Sequence, residues 1–157
     1  MALPTFPIEH LAAQLAAHRV HVPPNALPFM FGDSRELANE LLALVMQGRK
    51  KATAGLFWAW EADDGGPPKE GQVYIVHDWD GTAAAVIENR RVTIVPFDQV
   101  DAEFVAEEGE GDMTLASWRR DHWQYFSREC KRLGRSPSPT MPVVCQRFRI
   151  LYPNGAG

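Results

Sequence analysis

The densest group of chemically capable side chains in this sequence is the segment Gly48-Arg49-Lys50-Lys51-Ala52-Thr53. Three consecutive cations repel one another, and each lowers the pKa of its neighbours. Lys50, shielded by the aromatic residues that follow, could therefore lose its proton often enough to act as a base. Thr53 lies three residues further on, so a turn could bring its hydroxyl to the amine as an activated nucleophile. The same cations after a helix are also typical of a simple complement to the helix dipole, and spacing alone leaves both interpretations open.

A second candidate is the acidic segment from Glu107 to Asp112, in which carboxylates alternate with glycines. Glycine permits a close approach of the backbone to a ligand, and carboxylates transfer protons or bind metal ions. The spacing does not match an EF-hand, whose ligands occupy set positions and end in a glutamate at the twelfth. A flexible acidic connector is the alternative interpretation.

The histidines and cysteines predict no metal centre. His18 and His21 have no Cys or carboxylate at ligand spacing, and zinc sites need three or four convergent ligands. His122 falls on an apolar stripe, as a core histidine does. Cys130 and Cys145 form no C-x-x-C pair, so we expect reduced, buried thiols in a cytoplasmic protein. Dinucleotide and Walker motifs are absent, and we therefore expect neither a metal nor any cofactor, nucleotide cofactors included.

The elements that position these segments indicate an α+β fold. A helix over about 34–47, capped by Asp33 or Ser34 and ended by Gly48, leads through the cations into a strand over 52–60. In that strand Trp58 and Trp60 share a face. The other expected elements are a helix at 9–19, a loop at 61–70 with a turn at Gly65-Gly66, strands at 72–79 and 82–95 joined at Asp80-Gly81, a short helix at about 98–107, a long helix from Thr114 to Gly134, a strand at 143–152 and a frayed tail from 154.

Length and charge restrict the classes of function. A chain of 157 residues fits a single domain over 1–157, with an extra N-terminal helix within about 1–27. No apolar run approaches the ~20 residues of a membrane span, and we find no signal peptide. The net charge is −4, yet residues 113–157 hold 8 basic and 2 acidic side chains against 8 and 18 before them. This confined basic third fits either a nucleic-acid footprint or a solvated helix face.

Five features of the sequence form one pattern between about Pro28 and Tyr152. They are Phe31-Gly32-Asp33-Ser34, the G-x-K-x-x-T segment Gly48-Arg49-Lys50-Lys51-Ala52-Thr53, Asp78-Trp79-Asp80-Gly81, Glu108-Gly109-Glu110-Gly111-Asp112 and Trp118. This pattern resembles the ASCH domain family, in particular its longer bacterial branch.

The resemblance implies a PUA-like fold, a small mixed β-barrel flanked by helices with a cleft beside G-x-K-x-x-T. PUA-like domains commonly bind RNA or modified bases. Some longer ASCH members look like ribonucleases, whereas very short ones are similar to amidohydrolases that deacetylate N4-acetylcytidine with a Lys, a Thr and a Glu. By this resemblance the working triad falls on Lys50, Thr53 and Glu110, with Glu108 the alternative carboxylate.

Three hypotheses follow, and the first is a metal-independent ribonuclease that acts on single-stranded RNA. In that hypothesis Lys50 stabilises the phosphorane and Glu110 accepts the 2′-hydroxyl proton. The second is an amidohydrolase that acts on an acylated nucleoside and uses Thr53 as nucleophile. The third is a non-catalytic module that binds RNA or a modified base. The expected substrate-binding residues are Arg49, Lys51, Glu108, Trp58, Arg119, Arg120, Arg128 and Arg132.

Overall fold

A computed structural model describes residues 3–63 and 66–153 of the chain. These residues form five α-helices and five strands, which confirms the α+β class. The helices are α1 (Ile8–Ala17), α2 (Arg35–Met46), α3 (Phe57–Ala62), α4 (Ala102–Glu108) and α5 (Leu115–Leu133). The strands are β1 (Leu27–Phe29), β2 (Ala52–Leu56), β3 (Val73–His77), β4 (Ala83–Pro96) and β5 (Pro142–Tyr152).

The strands make one mixed sheet in the order β1-β3-β4-β5-β2. β1 runs parallel to β3, whereas the pairs β3–β4 and β2–β5 are antiparallel. The sheet stays open, with β1 and β2 at its edges, and so it is not the closed barrel that we expected.

The chain divides into two compact units. One takes residues 3–49, 71–90 and 148–153, and the other takes 50–63, 66–70 and 91–147. In the first unit, Leu11 and Leu15 of α1 are buried against Ile75 and Val86 of the sheet. In the second, α5 contributes Trp118 and Phe126 to a separate apolar cluster. The expectation of a single domain stays a prediction.

Local hydrogen bonds confirm the caps and the hairpin that the sequence predicted. The Ser34 hydroxyl accepts from the amide of Leu37 at 3.2 Å, and α2 begins there. The Thr114 hydroxyl caps α5 in the same way. Between β3 and β4, Asp78 Oδ1 accepts from the amides of Asp80 and Thr82, each at 2.9 Å. Short polar side chains at these positions replace the backbone partners that a helix end or turn lacks.

The strand predicted over 52–60 is wrong in its second half. β2 ends at Leu56, and α3 begins at Phe57. Aromatic residues favour strands, but here the Trp60 ring folds back over Gly55. A Cβ at Gly55 would lie 2.7 Å from Trp60 Nε1, so the glycine makes room for the ring. Trp58 and Trp60 therefore lie about 200° apart on a helix instead of sharing a strand face.

The acidic segment also begins differently from the prediction. The helix predicted over 98–107 starts at Ala102, after a short 3-10 turn, because Asp101 caps it by accepting from the amide of Phe104 at 2.9 Å. It extends to Glu108, which we had placed in the following loop. Glu108 is thus a helical, fully buried side chain.

Two further predictions fall at the limits of the described residues. The turn at Gly65-Gly66 lies partly outside them, and the frayed tail from 154 lies wholly outside. Across residues 3–63 and 66–153, no helix has both the length and the apolar character needed to cross a membrane.

Candidate active site

Lys50 leads into β2 and is held beside the end of α4 by the backbone. The amide of the next residue, Lys51, donates to the carbonyl of Glu107 at 2.9 Å. This bond directs the Lys50 side chain inward, and none of it is exposed. Its Nζ donates to Glu108 Oε2 at 3.0 Å and also to Glu110 Oε2.

The pKa of Lys50 is raised, which is the opposite of the depressed pKa that we expected. Burial alone would lower it, but the charges of Glu108 and Glu110 outweigh the burial. Lys50 is therefore an ammonium ion, and its role is that of a fixed positive charge. The neighbouring cations have little influence because Arg49 and Lys51 are exposed.

Glu108 is the anchor of the cluster. It is the last residue of α4 and is only 1% exposed. Its Oε1 accepts from Trp118 Nε1 at 2.6 Å and lies 3.4 Å from His122 Nε2, while Oε2 accepts from Lys50. Burial alone would raise the pKa of Glu108, but Lys50 and His122 hold it well below the ordinary value. Both oxygens of this buried carboxylate therefore have partners within the protein.

His122 is a site residue that the sequence reasoning placed in the core only. Its ring stacks on Trp118 with centroids 4.2 Å apart, and Nδ1 lies 3.0 Å from the Trp118 carbonyl. Burial alone would lower the pKa of His122, yet Glu108 raises it above the ordinary value. The i, i+4 spacing of Trp118 and His122 on α5 was the available signal, since it places two N–H donors on one face.

Glu110 is the member of the cluster that reaches solvent. It lies in the loop after α4 between Gly109 and Gly111, whose φ angles are 68° and 58°. Its side chain is 21% exposed. Burial and the charge of Glu108 raise the pKa of Glu110 to about 7, although Lys50 acts in the opposite direction. Two glutamates that are two residues apart therefore differ in protonation near neutral pH.

The carboxylates and the histidine could also be considered as metal ligands. Glu108, Glu110 and His122 bring three ligand atoms within 4.8 Å of one another. However, the Lys50 ammonium already contacts both carboxylates and supplies the positive charge that a cation would bring. The donor set therefore fits an internal ion-pair cluster better than it fits a metal centre.

Thr53 lies in the strand that follows Lys50. It is a buried residue of β2 opposite Gln146, and the chain from Ala52 onward is extended. The turn that was to bring its hydroxyl to Lys50 is therefore not formed.

The arginines expected to bind substrate are spread around and along α5. Arg119 donates to the Asp98 carbonyl at 3.4 Å, and Arg120 donates to Ser117 at 3.2 Å. Arg128 and Arg132 follow Trp118 by ten and fourteen residues, which places them roughly 15 and 21 Å along the helix axis. The structure thus brings Lys50, Glu108 and Glu110 together, whereas Arg128 and Arg132 lie about three and four helical turns beyond Trp118.

The chemical capacity of this arrangement is that of a general base next to a buried cation. A group with a pKa near the working pH exchanges protons most efficiently. Glu110 meets that condition and is partly exposed, whereas Lys50 offers a positive charge in a poorly solvated setting where charges interact strongly.

Comparisons of the sequence and of the structure with known proteins both identify ASCH domains. A family model described as the ASCH domain matches residues 28–152, the range that the motifs predicted. The ASCH domain structure from Lactobacillus crispatus JV V101 is 29% identical, with a TM-score of 0.78 over 90% of this chain and 92% of that one. A protein from Enterococcus faecalis V583 is 30% identical, also with a TM-score of 0.78, over 92% and 89%. No curated protein matches the chain.

Proposed function

This chain belongs to the ASCH domain family, a PUA-like family of RNA-binding domains, and on that premise we propose that it cleaves single-stranded RNA without a metal ion. The observation that carries the proposal is the raised pKa of the partly exposed Glu110 beside the buried Lys50 ammonium. Glu110 is the base, and Lys50 is the fixed charge.

In this reaction Glu110 removes the proton of a ribose 2′-hydroxyl. The 2′-oxygen then forms a bond to the adjacent phosphorus, and the bond from phosphorus to the 5′-oxygen breaks. The products are a 2′,3′-cyclic phosphate and a 5′-hydroxyl, whose proton returns from Glu110 directly or through water. Atoms and charge balance without an added cofactor.

Because Lys50 is buried, Glu110 acts first and Lys50 acts second. Lys50 is covered while Glu110 is ionised, because the carboxylate bonds to its Nζ. When Glu110 takes the 2′-hydroxyl proton it loses its charge, and its attraction to Lys50 weakens. The ammonium is then available to stabilise the phosphorane at the moment when negative charge develops there.

The amidohydrolase hypothesis receives less support from the same geometry. It needs a neutral Lys50 that deprotonates Thr53, but the pKa of Lys50 is raised and Thr53 lies in β2. The hypothesis of a non-catalytic binding module would be supported if wild type left RNA intact in the test described below.

The test is a gel assay with end-labelled single-stranded RNA in the presence of chelator. It compares wild type with Glu110→Gln, which keeps the shape of the side chain but cannot accept the proton, and with Lys50→Ala. Glu103→Gln is the matched control because Glu103 is an exposed carboxylate in the first turn of α4. We expect cleavage by wild type and by the control, and a loss of at least 100-fold in both site variants.

Three outcomes would contradict the proposal. Intact RNA with wild type would leave a binding module, equal cleavage by all variants would indicate a contaminating nuclease, and cleavage at 2′-deoxy positions would exclude attack by the 2′-hydroxyl. Circular dichroism of each variant separates loss of chemistry from loss of the fold.

A further inference from the structure

The last two turns of α5 present a row of exposed cations away from the ion-pair cluster. Arg128, Lys131 and Arg132 lie within an arc of about 100° on the helix, and all three are exposed. This arc faces away from the buried stripe that holds Phe126 and Cys130. Glu129 is the one acidic residue between 124 and 135, and it pairs with Arg132. The face is therefore strongly positive.

Two residues beyond the end of α5, the Arg135 guanidinium lies over an aromatic ring. Its guanidinium carbon lies 4.3 Å from the centroid of Trp58, the half-buried residue of α3 that packs against the core of the same unit. The Arg135 amide donates to the Cys130 carbonyl at 2.9 Å, so the backbone after α5 is fixed as well. Arg135 is exposed, so a guanidinium that contacts an aromatic ring lies at the surface.

These two features have the chemistry of a nucleotide. Guanidinium planes and aromatic rings stack on unpaired bases, and exposed lysine and arginine side chains contact phosphates. A stacked arginine also loses less side-chain freedom on binding than a mobile one, because Trp58 already orients it. A purely acidic partner would use the charges but would gain nothing from the contact between the guanidinium and the indole.

We propose that Arg135 stacked on Trp58, with Arg128 and Lys131, forms a docking surface for single-stranded RNA. An unpaired base stacks on the outer face of Arg135, and the two other cations contact phosphates of the same strand. The choice of ligand rests on the proposed function, but docking does not require cleavage. The surface therefore holds the strand at a place other than the Lys50–Glu110 cluster.

Binding is measured by fluorescence anisotropy with a labelled ten-nucleotide RNA and an abasic phosphodiester of the same length. All proteins carry Glu110→Gln, so that the RNA stays intact and a failure of the cleavage proposal does not affect the result. Arg135→Lys keeps the charge but removes the plane. We expect about fivefold weaker binding of the RNA and unchanged binding of the abasic strand, since stacking contributes only with a base present.

A second variant tests the phosphate contacts. Lys131→Ala should weaken the binding of both the RNA and the abasic strand. It should also reduce the magnitude of the slope of log K against log salt by about 0.7, the value for one phosphate contact on a single strand. Arg91→Ala, which removes an exposed arginine of β4, is the matched control and should change neither.

The proposal is overturned if Arg135→Lys weakens the binding of the RNA and of the abasic strand equally, or if it changes the binding of neither. It is also overturned if poly-glutamate competes as well as the RNA does, because the surface would then serve an acidic protein. Trp58→Leu gives an independent check: the RNA should bind about fivefold more weakly, and the abasic strand should bind as before.

Discussion

Glu108 and Glu110 show how the same side chain takes different protonation states at two adjacent places. Both carboxyl groups contact Lys50. Glu108 is buried and also receives Trp118 Nε1 and His122 Nε2. Glu110 shares the lysine and lies close to the negative charge of Glu108. Lys50 and Glu108 neutralise each other. Glu110 is therefore the carboxyl group of the cluster that exchanges a proton near neutral pH.

The first prediction concerns the pH dependence of cleavage. Because Glu110 must be ionised to accept a proton and its pKa is about 7, the single-turnover rate should rise about tenfold per pH unit below 7 and level off above it. The measurement is a set of initial rates from pH 5 to 9 in constant ionic strength. A rate that is already flat from pH 5 would mean that a carboxylate with an ordinary pKa, or no carboxylate, is the base.

The second prediction concerns stability. The pKa of Glu110 is 4.5 in the unfolded chain and about 7 in the fold, so ionisation favours unfolding. Below pH 4.5 both states are protonated and the effect is absent. As the pH rises through the window from 4.5 to 7, wild type should lose up to about 3 kcal/mol relative to Glu110→Gln. Urea unfolding of both proteins at pH 4.5, 6 and 8 measures this difference, and a gap that stays constant with pH would contradict it.

At the scale of elements, α4 and α5 hold the charged cluster together. A helix C-terminus carries a partial negative charge, so Glu107 and Glu108 in the last turn of α4 are unfavourable there. Arg147 compensates the charge of Glu107, since its Nε lies 3.0 Å from the Glu107 carboxylate, and Lys50 compensates the charge of Glu108. Helix α5 then supplies Trp118 and His122 to the same carboxylate. A buried ion pair of this kind adds little stability by itself, because the cost of removing both charges from water offsets their attraction.

The third prediction tests the bond between α5 and α4. Trp118→Phe keeps most of the ring but removes the N–H that donates to the buried Glu108 at 2.6 Å. A lost hydrogen bond to a buried charge costs about 1.5–3 kcal/mol of unfolding free energy. Trp123→Phe is the control, since Trp123 lies in the same helix and packs on Phe97. If both variants are equally stable in urea, the Trp118 indole does not support the carboxylate.

The sequence was informative where local chemistry decides the structure. Helices α2 and α5 follow from their caps and apolar stripes, and the β3–β4 hairpin follows from the polar residues of its turn. The strand predicted over 52–60 is wrong where α3 begins, because the packing of Trp60 on Gly55 is a tertiary contact that overrides strand propensity. The candidate triad could be named from motifs, but the charge of Lys50 could not. That charge depends on two glutamates brought from 58 and 60 residues away.

At the scale of the whole molecule, the charges are separated rather than mixed. A net charge of −4 repels polyanions in general, whereas Arg128, Lys131, Arg132 and Arg135 place four exposed cations near the end of α5, with Glu129 as the one acidic residue among them. This distribution favours contacts of a polyanion near the end of α5 and opposes contacts where exposed carboxylates predominate. The acidic remainder thus limits the number of phosphates that can be neutralised at the same time.

The last prediction follows from that limit. With Arg128, Lys131, Arg132 and Arg135 as the cations of the face, at most four phosphate contacts form. The slope of log K against log salt for single-stranded RNA should then lie between about −1.4, for the two phosphate contacts of the docking proposal, and about −2.8, for all four cations, at about −0.7 per contact. Anisotropy titrations between 50 and 300 mM salt measure it. A slope steeper than about −5 requires more phosphates than this face can contact and would indicate a footprint that extends over other parts of the surface. A slope near zero would mean that binding does not depend on charge, and the basic C-terminal third would then be only a solvated helix face.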